Sequence, residues 1–154
     1  MFSVRKATAE DTDSIVTITK QAFQKYIEIA NLEDTAALHE TREQVQSDIN
    51  EKLVYVAYID DEVVGSVRAE FVNDETVYLS RFGVSTKYQN LGIGKSIMGV
   101  FDKEMQKMGV KRVILHTAAK ASPLVRFYYG RGFYIYSTCV SKGYIRALLC
   151  KDYA

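Results

Sequence analysis

The sequence predicts one domain of the α/β or α+β class, a mixed sheet flanked by helices, and three observations predict it. Strand-like and helix-like runs follow one another in the order β-α-α-β-β-β-α-β-α-β-β, which is neither a repeat nor a strict βαβ alternation. The chain has 154 residues, enough to bury one core and too few for two ordinary domains. Its composition, 47% hydrophobic and 25% charged, is that of a globular protein.

Phe2 to Ala7 reads as a first strand. Thr8 or Glu10-Asp11 opens a helix whose Ile15, Ile18, Ala22, Phe23 and Tyr26 recur at helical spacing. Glu28 to Ala37 mixes polar and small residues and predicts a loop, and His39 to Glu51 predicts a second, more polar helix. Leu53 to Ile59 is a strand that turns at Asp60-Asp61-Glu62. Val63 to Val72 and Thr76 to Val84 follow as antiparallel partners across Asn73-Asp74-Glu75. A helix from Gly92 to Met108 carries the inward stripe Ile93, Ile97, Phe101, Met105 and Met108, and Gly109 ends it as a C-cap. Arg112 to Thr117 is a short buried strand. Pro123, the only proline, suits the first turn of a helix reaching Tyr129. Phe133 to Val140 and Tyr144 to Lys151 close the chain as a hairpin around Ser141-Lys142-Gly143. No linker or low-complexity stretch divides residues 1–154, which form a single domain.

No apolar run approaches membrane-spanning length, and the N-terminus lacks a signal-peptide hydrophobic region. Cys139 and Cys150 are too few for a disulfide framework and lack metal-ligand spacing. These features predict a reduced, cytoplasmic setting with no membrane partner and no metal. Charge is unevenly divided. Residues 1–77 carry 7 Lys/Arg against 16 Asp/Glu, and residues 78–154 carry 13 against 3. A polyanionic ligand would be drawn to the second half and a cationic acceptor to the first. The basic residues are spread over several elements rather than forming one stripe with aromatics, which argues against nucleic acid.

The stretch Gln89-Asn90-Leu91-Gly92-Ile93-Gly94-Lys95-Ser96 lies between a strand and an amphipathic helix. Glycines at a helix mouth leave backbone N–H groups uncovered at the positive end of the helix dipole, a natural cradle for phosphate. A nucleotide P-loop would need a glycine at Gln89 and an acidic residue ending a later apolar strand. Val113-Ile114-Leu115-His116-Thr117 ends without one. A dinucleotide fingerprint would need its third glycine two positions before Gly99 and an acidic residue where Lys111-Arg112 stands. Both fail, and glycines before a helix can also serve a plain tight turn.

Gln-x-x-Gly-x-Gly after a strand ending in Val84 resembles the central motif of the GNAT family of N-acetyltransferases. Two further stretches are similar to the family's pattern: the opening Val4-Arg5-Lys6-Ala7-Thr8-x-x-Asp11, and Phe127-Tyr128-Tyr129-Gly130-Arg131-Gly132-Phe133. The resemblance spans nearly the whole chain. It implies a mainly antiparallel, twisted sheet of about seven strands with four helices, strands four and five splaying apart to admit the pantetheine of acetyl-CoA. It implies direct acetyl transfer to an amine, whether a small molecule, a polyamine or a peptide. Pairing of two copies through the C-terminal strands is common in the family, so the resemblance leaves a homodimer open, and the sequence does not decide the oligomeric state.

Carried onto this chain, the resemblance places the main chain of Phe82, Gly83 and Val84 along the pantetheine. Amides from Gln89 through Lys95, with Ser96, surround the pyrophosphate. Tyr128 aligns with the tyrosine that faces the cofactor sulfur, and a phenol of ordinary pKa about 10 can protonate a departing thiolate. Tyr129 is the adjacent alternative, and helix geometry lets only one of the two face the sulfur. The chain departs from the pattern twice. Ser80 stands where many members carry a glutamate, and Ala121 where many carry an asparagine, with Ser122 beside it as a substitute contact. The base is left open among water, Glu70, Glu28, Glu33 and His116. A non-catalytic acyl-CoA-binding sensor of the same fold is the alternative function.

Overall fold

The computed structural model describes residues 2–88 and 90–154. Its strands are β1 (Phe2–Lys6), β2 (Leu53–Ile59), β3 (Glu62–Phe71), β4 (Thr76–Val84), β5 (Arg112–Ala118), β6 (Tyr134–Ser141) and β7 (Tyr144–Asp152). Its helices are α1 (Thr12–Ala30), α2 (Arg42–Glu51), α3 (Ile93–Lys107) and α4 (Ser122–Gly130). The strands form one sheet in the order β1-β2-β3-β4-β5-β7-β6. Every neighbouring pair is antiparallel except β4 and β5. The predicted class and element order therefore hold.

The β4–β5 pairing is short. Thr76 faces Arg112, Val77 faces Val113 and Tyr78 faces Ile114, and beyond these residues the two strands part. Both run several residues further, so the sheet opens into a gap between residues 79–84 and 115–118. Among the described residues no other neighbouring pair is left open in this way over half its length.

Core packing explains the position of the helices. On one face, α3 lays Ile97, Phe101 and Met105 against Tyr55, Val67, Leu79 and Leu115 of the sheet, all buried. On the other face, Ile15 of α1 and Val45 of α2 cover Val54 and Val56. Gly83 lets α1 approach the sheet beside the gap, because a Cβ there would lie 2.6 Å from the Ala22 Cβ.

Most limits agree to within a residue or two, and the larger departures from expectation have physical causes. Glu28 to Ala37 is not all loop: α1 continues to Ala30 because Ile27 and Ala30 extend its apolar stripe at i+4 and i+7 from Phe23. Asn31, in the left-handed region at φ 56°, then stops the helix. Helix α2 starts at Arg42 rather than His39, since Thr41 accepts from the Gln44 N–H while the Gln44 side chain accepts from the Thr41 N–H at 2.8 Å. Met108 is not part of the buried stripe; it is 38% exposed, and Val110, just past the helix end, is buried instead. Among the described residues no helix is long and apolar enough to cross a membrane.

Candidate active site

The gap becomes a site through a bulge in β4. Its register with β3 slips between Ser66, opposite Gly83, and Arg68, opposite Ser80, so β4 carries one extra residue there. Arg81 takes the left-handed conformation at φ 52°, which turns the strand away from regular pairing just where β4 and β5 separate. A cleft of about 890 Å³ occupies the space, lined by the start of α3 on one face of the sheet and by α1 and the β6–β7 turn on the other, and these two sets of residues make its two arms.

The first arm ends at the start of α3. Asn90 (φ 66°) and Gly92 (φ 76°) both adopt left-handed conformations, and the first intrahelical bond there runs from the Ser96 N–H to the Gly92 carbonyl at 3.0 Å. The N–H groups of Ile93, Gly94 and Lys95 thus precede the helix's own ladder and point their partial positive charge out of its mouth. Gly94 sits under the stacked rings of Phe82 and Phe127, whose centroids are 5.4 Å apart; a Cβ on it would come within 3.1 Å of Phe82. The arrangement suits a phosphate held by main-chain amides.

The wall between the arms is aromatic. Tyr128 is 7% exposed, in edge contact with Phe82, Phe127 and Phe133. Burial pushes its phenol well above the ordinary range, so the hydroxyl stays protonated at any working pH. Tyr129, next in sequence, is 74% exposed and does not line the cleft.

The second arm lies on the face covered by α1. The Tyr26 hydroxyl accepts the Ala118 N–H at 2.9 Å, tying α1 to the end of β5. His116 Nδ1 lies 2.9 Å from the Tyr78 hydroxyl across the mouth of the gap. Burial first, then the charges of Arg146 and Lys142, lower the His116 pKa, so the ring is neutral near pH 7. Glu40, with its side chain 8% exposed, binds the buried Arg68 through both oxygens at 2.7 Å and reaches Arg81 Nε at 3.4 Å. Asp48 also accepts from Arg68, at 2.9 Å. This cluster fastens the α1–α2 connection to the bulge.

Of the residues expected at the cofactor, Phe82, Gly83, Val84, Asn90, Gly92, Ile93, Gly94, Lys95 and Tyr128 line the cleft. Leu91 and Ser122 are exposed and do not line it, and the Ser96 N–H is already committed to Gly92. Gln89 lies outside the described residues. Of the candidate bases only His116 lines the cleft; Glu28 is exposed beside Gln24, Glu33 is exposed, and Glu70 pairs with Lys52. Ser80 lines it, whereas Ala121 is buried at the start of α4. Sequence reasoning missed Tyr26, Tyr78, Arg81 and Arg146. The period-2 alternation of β4 and β5 would have paired Tyr78 with the face of His116, but nothing local marks the bulge at Arg81. The expected acidic acceptor side is also absent from the cleft, where Asp34 is the one lining carboxylate among the described residues.

Comparison with known proteins gives a consistent picture. The PaiA N-acetyltransferase of Thermoplasma acidophilum, solved with coenzyme A, superposes with a TM-score of 0.85 at 19% identity over 99% of each chain. The spermidine N(1)-acetyltransferase of Thermoplasma acidophilum is 23% identical over 89% of this chain and 91% of its own. The protein named Probable N-acetyltransferase 14 in Xenopus tropicalis is 29% identical over 55% of this chain, which spans only 42% of that relative's length. The model of the acetyltransferase (GNAT) family matches residues 20–133, most of the sheet together with the phosphate loop and the Tyr128 helix, and the chain belongs to that family.

Proposed function

We propose that the protein is an N-acetyltransferase that moves the acetyl group of acetyl-CoA directly onto an amine. The observation that carries this reading is the open β4–β5 gap, which joins an amide-lined phosphate mouth to a second arm past a buried tyrosine. The pyrophosphate would rest on the N–H groups of Ile93, Gly94 and Lys95. The pantetheine would run along residues 82–84 in the place of a missing strand.

The chemistry then needs three things. A main-chain N–H of β4 near the bulge polarises the thioester carbonyl as negative charge builds on its oxygen. The amine nitrogen attacks the carbonyl carbon, a C–N bond forms, and the C–S bond breaks with its electrons going to sulfur. The proton leaving the amine passes to His116 or to a water beside it; of the bases the sequence offered, this neutral imidazole is the one that lines the cleft. Tyr128 donates to the departing thiolate. Because its phenol is a weaker acid than an exposed tyrosine, its main contribution is a hydrogen bond that strengthens as sulfur gains charge, with transfer completed through solvent. A reduced, cytoplasmic setting suits the free thiols of Cys139 and Cys150.

Thiol release from acetyl-CoA over a panel of amines tests the reading. Turnover with at least one amine is expected, with kcat falling about 100-fold or more in Tyr128→Phe while the KM for acetyl-CoA changes little. Ser80 and Ala121, which stand where many family members carry glutamate and asparagine, favour a second reading: an acyl-CoA sensor without turnover. Tight acetyl-CoA binding with no thiol release from any amine would replace the first reading by the second.

A further inference from the structure

The acceptor arm carries the wrong charge for a polyamine. Lys25, Arg81, Lys142 and Arg146 line it, against Asp34 as the one lining carboxylate among the described residues. Asp34 is also occupied: His39 Nε2 sits 2.8 Å from each of its oxygens. Arg81 shares the carboxylate of Glu40. Lys142 and Arg146 differ from these. Among the described residues neither has a carboxylate within ion-pair distance, and the Arg146 guanidinium makes one hydrogen bond, to the Ser141 hydroxyl at 3.3 Å. Arg146 Nε is buried with no hydrogen-bond partner among the described residues. A buried guanidinium N–H without an acceptor is costly unless a ligand supplies one.

Register places this charge beside the reacting centre. Ala118 pairs with Arg146 and His116 with Leu148, so Arg146 and His116 stand two residues apart on the same face of the β5–β7 ladder. Lys142 projects from the tip of the same hairpin, and both cations are felt by the His116 ring. An amine approaching His116 therefore brings its neighbouring substituents against Arg146 and Lys142. The walls between are aromatic, Phe23 and Tyr26 on α1 and Tyr144 on β7.

We infer that the acceptor is an amine that also carries a carboxylate, as an amino acid does, with the amine at His116 and the carboxylate held by Arg146 and Lys142. The inference rests on the acetyl-transfer reading and narrows its acceptor. Arginine supplies parallel N–H donors that match a carboxylate edge-on, and the partial burial of Arg146 strengthens that contact. The cofactor phosphates do not compete for it, since their amide cradle lies at the other arm.

The test uses matched pairs differing only in the carboxylate: phenylalanine with 2-phenylethylamine, and arginine with agmatine, with spermidine as the polyamine. Thiol release should favour the carboxylate member of each pair at least tenfold in kcat/KM, and the advantage should shrink as salt rises. Arg146→Gln and Lys142→Gln should each raise the acceptor KM and erode the preference while leaving the KM for acetyl-CoA in place. Lys142 is exposed at a turn, so its replacement spares the fold. Equal or better turnover of the decarboxylated amines or spermidine would overturn the inference, as would variants that raise the KM for acetyl-CoA instead. An Asp-initiated peptide amide provides a further arm; if it outruns phenylalanine, the carboxylate recognised is a peptide side chain rather than that of a free amino acid. A binding measurement separates the two claims. N-acetylphenylalanine and N-acetyl-2-phenylethylamine are titrated calorimetrically into protein saturated with coenzyme A. Selective binding of the acid without turnover defeats the transfer reading and leaves the charge inference standing. Turnover without selectivity does the reverse.

Discussion

At the scale of single residues, the proposed chemistry calls on two side chains whose protonation is set by surroundings that the sequence does not display. Tyr128 could be chosen over Tyr129 from its spacing to Gly132 and Phe133, and the structure buries the first and exposes the second. The state of His116 could not be read in advance, because Arg146 lies 30 residues away and reaches it only through strand register. The prediction here is electrostatic. The protein has only two histidines, so ring-proton NMR resolves both. His116 should titrate below its ordinary 6.5, because burial and the facing Arg146 and Lys142 disfavour the imidazolium, while the Tyr78 hydroxyl holds Nδ1. Lys142→Gln removes one repelling charge and should move the midpoint upward. Linkage has the matching sign: the unfolded chain binds this proton first, so His116 contributes to stability above pH 6.5 and that contribution declines as pH falls through its lowered value. A midpoint above 6.5, or one unmoved by Lys142→Gln, would show that the two cations do not face the ring.

At the scale of elements, most of the fold was legible because each run carries its own period and punctuation. The predicted limits of β2 and β4 coincide with those observed. The segment after Tyr26 was misread because its composition looks loop-like, while two apolar residues at helical spacing, Ile27 and Ala30, were enough to carry α1 on. The bulge in β4 was invisible for a different reason. It depends on a register between strands and on a carboxylate 41 residues upstream, Glu40, that holds Arg81 and Arg68 together. That contact has a measurable weight. Arg68 is 1% exposed at its side chain, and replacing Glu40 by Ala leaves it with Asp48 and the Thr19 hydroxyl alone. Removing one partner of a buried ion pair typically costs about 3–5 kcal/mol, far more than an exposed pair. Urea unfolding of Glu40→Ala should show a lower midpoint with unchanged m, and a loss under about 1 kcal/mol would mean that Asp48 alone holds the guanidinium.

Over the whole molecule, summing charge by half-chain misled because folding interleaves the halves. Lys25 of α1 and Arg146 of β7 face one cleft, while most carboxylates of residues 1–77 lie on solvated surfaces outside it. What the chain does display as a whole is an incomplete sheet, since β4 and β5 stop pairing after Tyr78 and Ile114 with several residues of each still to run. Gap-facing N–H groups in 79–84, every second one along the strand, have no partner strand, and hydrogen exchange should find them the least protected of the central sheet. Acetyl-CoA laid along that edge would accept from them. Hydrogen exchange with and without saturating acetyl-CoA should therefore show slowing concentrated in residues 82–84 and 93–95, with little change in β2. The same binding raises global stability by mass action, about 2.7 kcal/mol at a ligand concentration 100-fold above Kd, or roughly 5–10 °C in Tm for a chain of this size. Slowing confined to 93–95 would mean that the loop holds phosphate while the gap stays open, and the missing strand would then have to be supplied by something other than pantetheine.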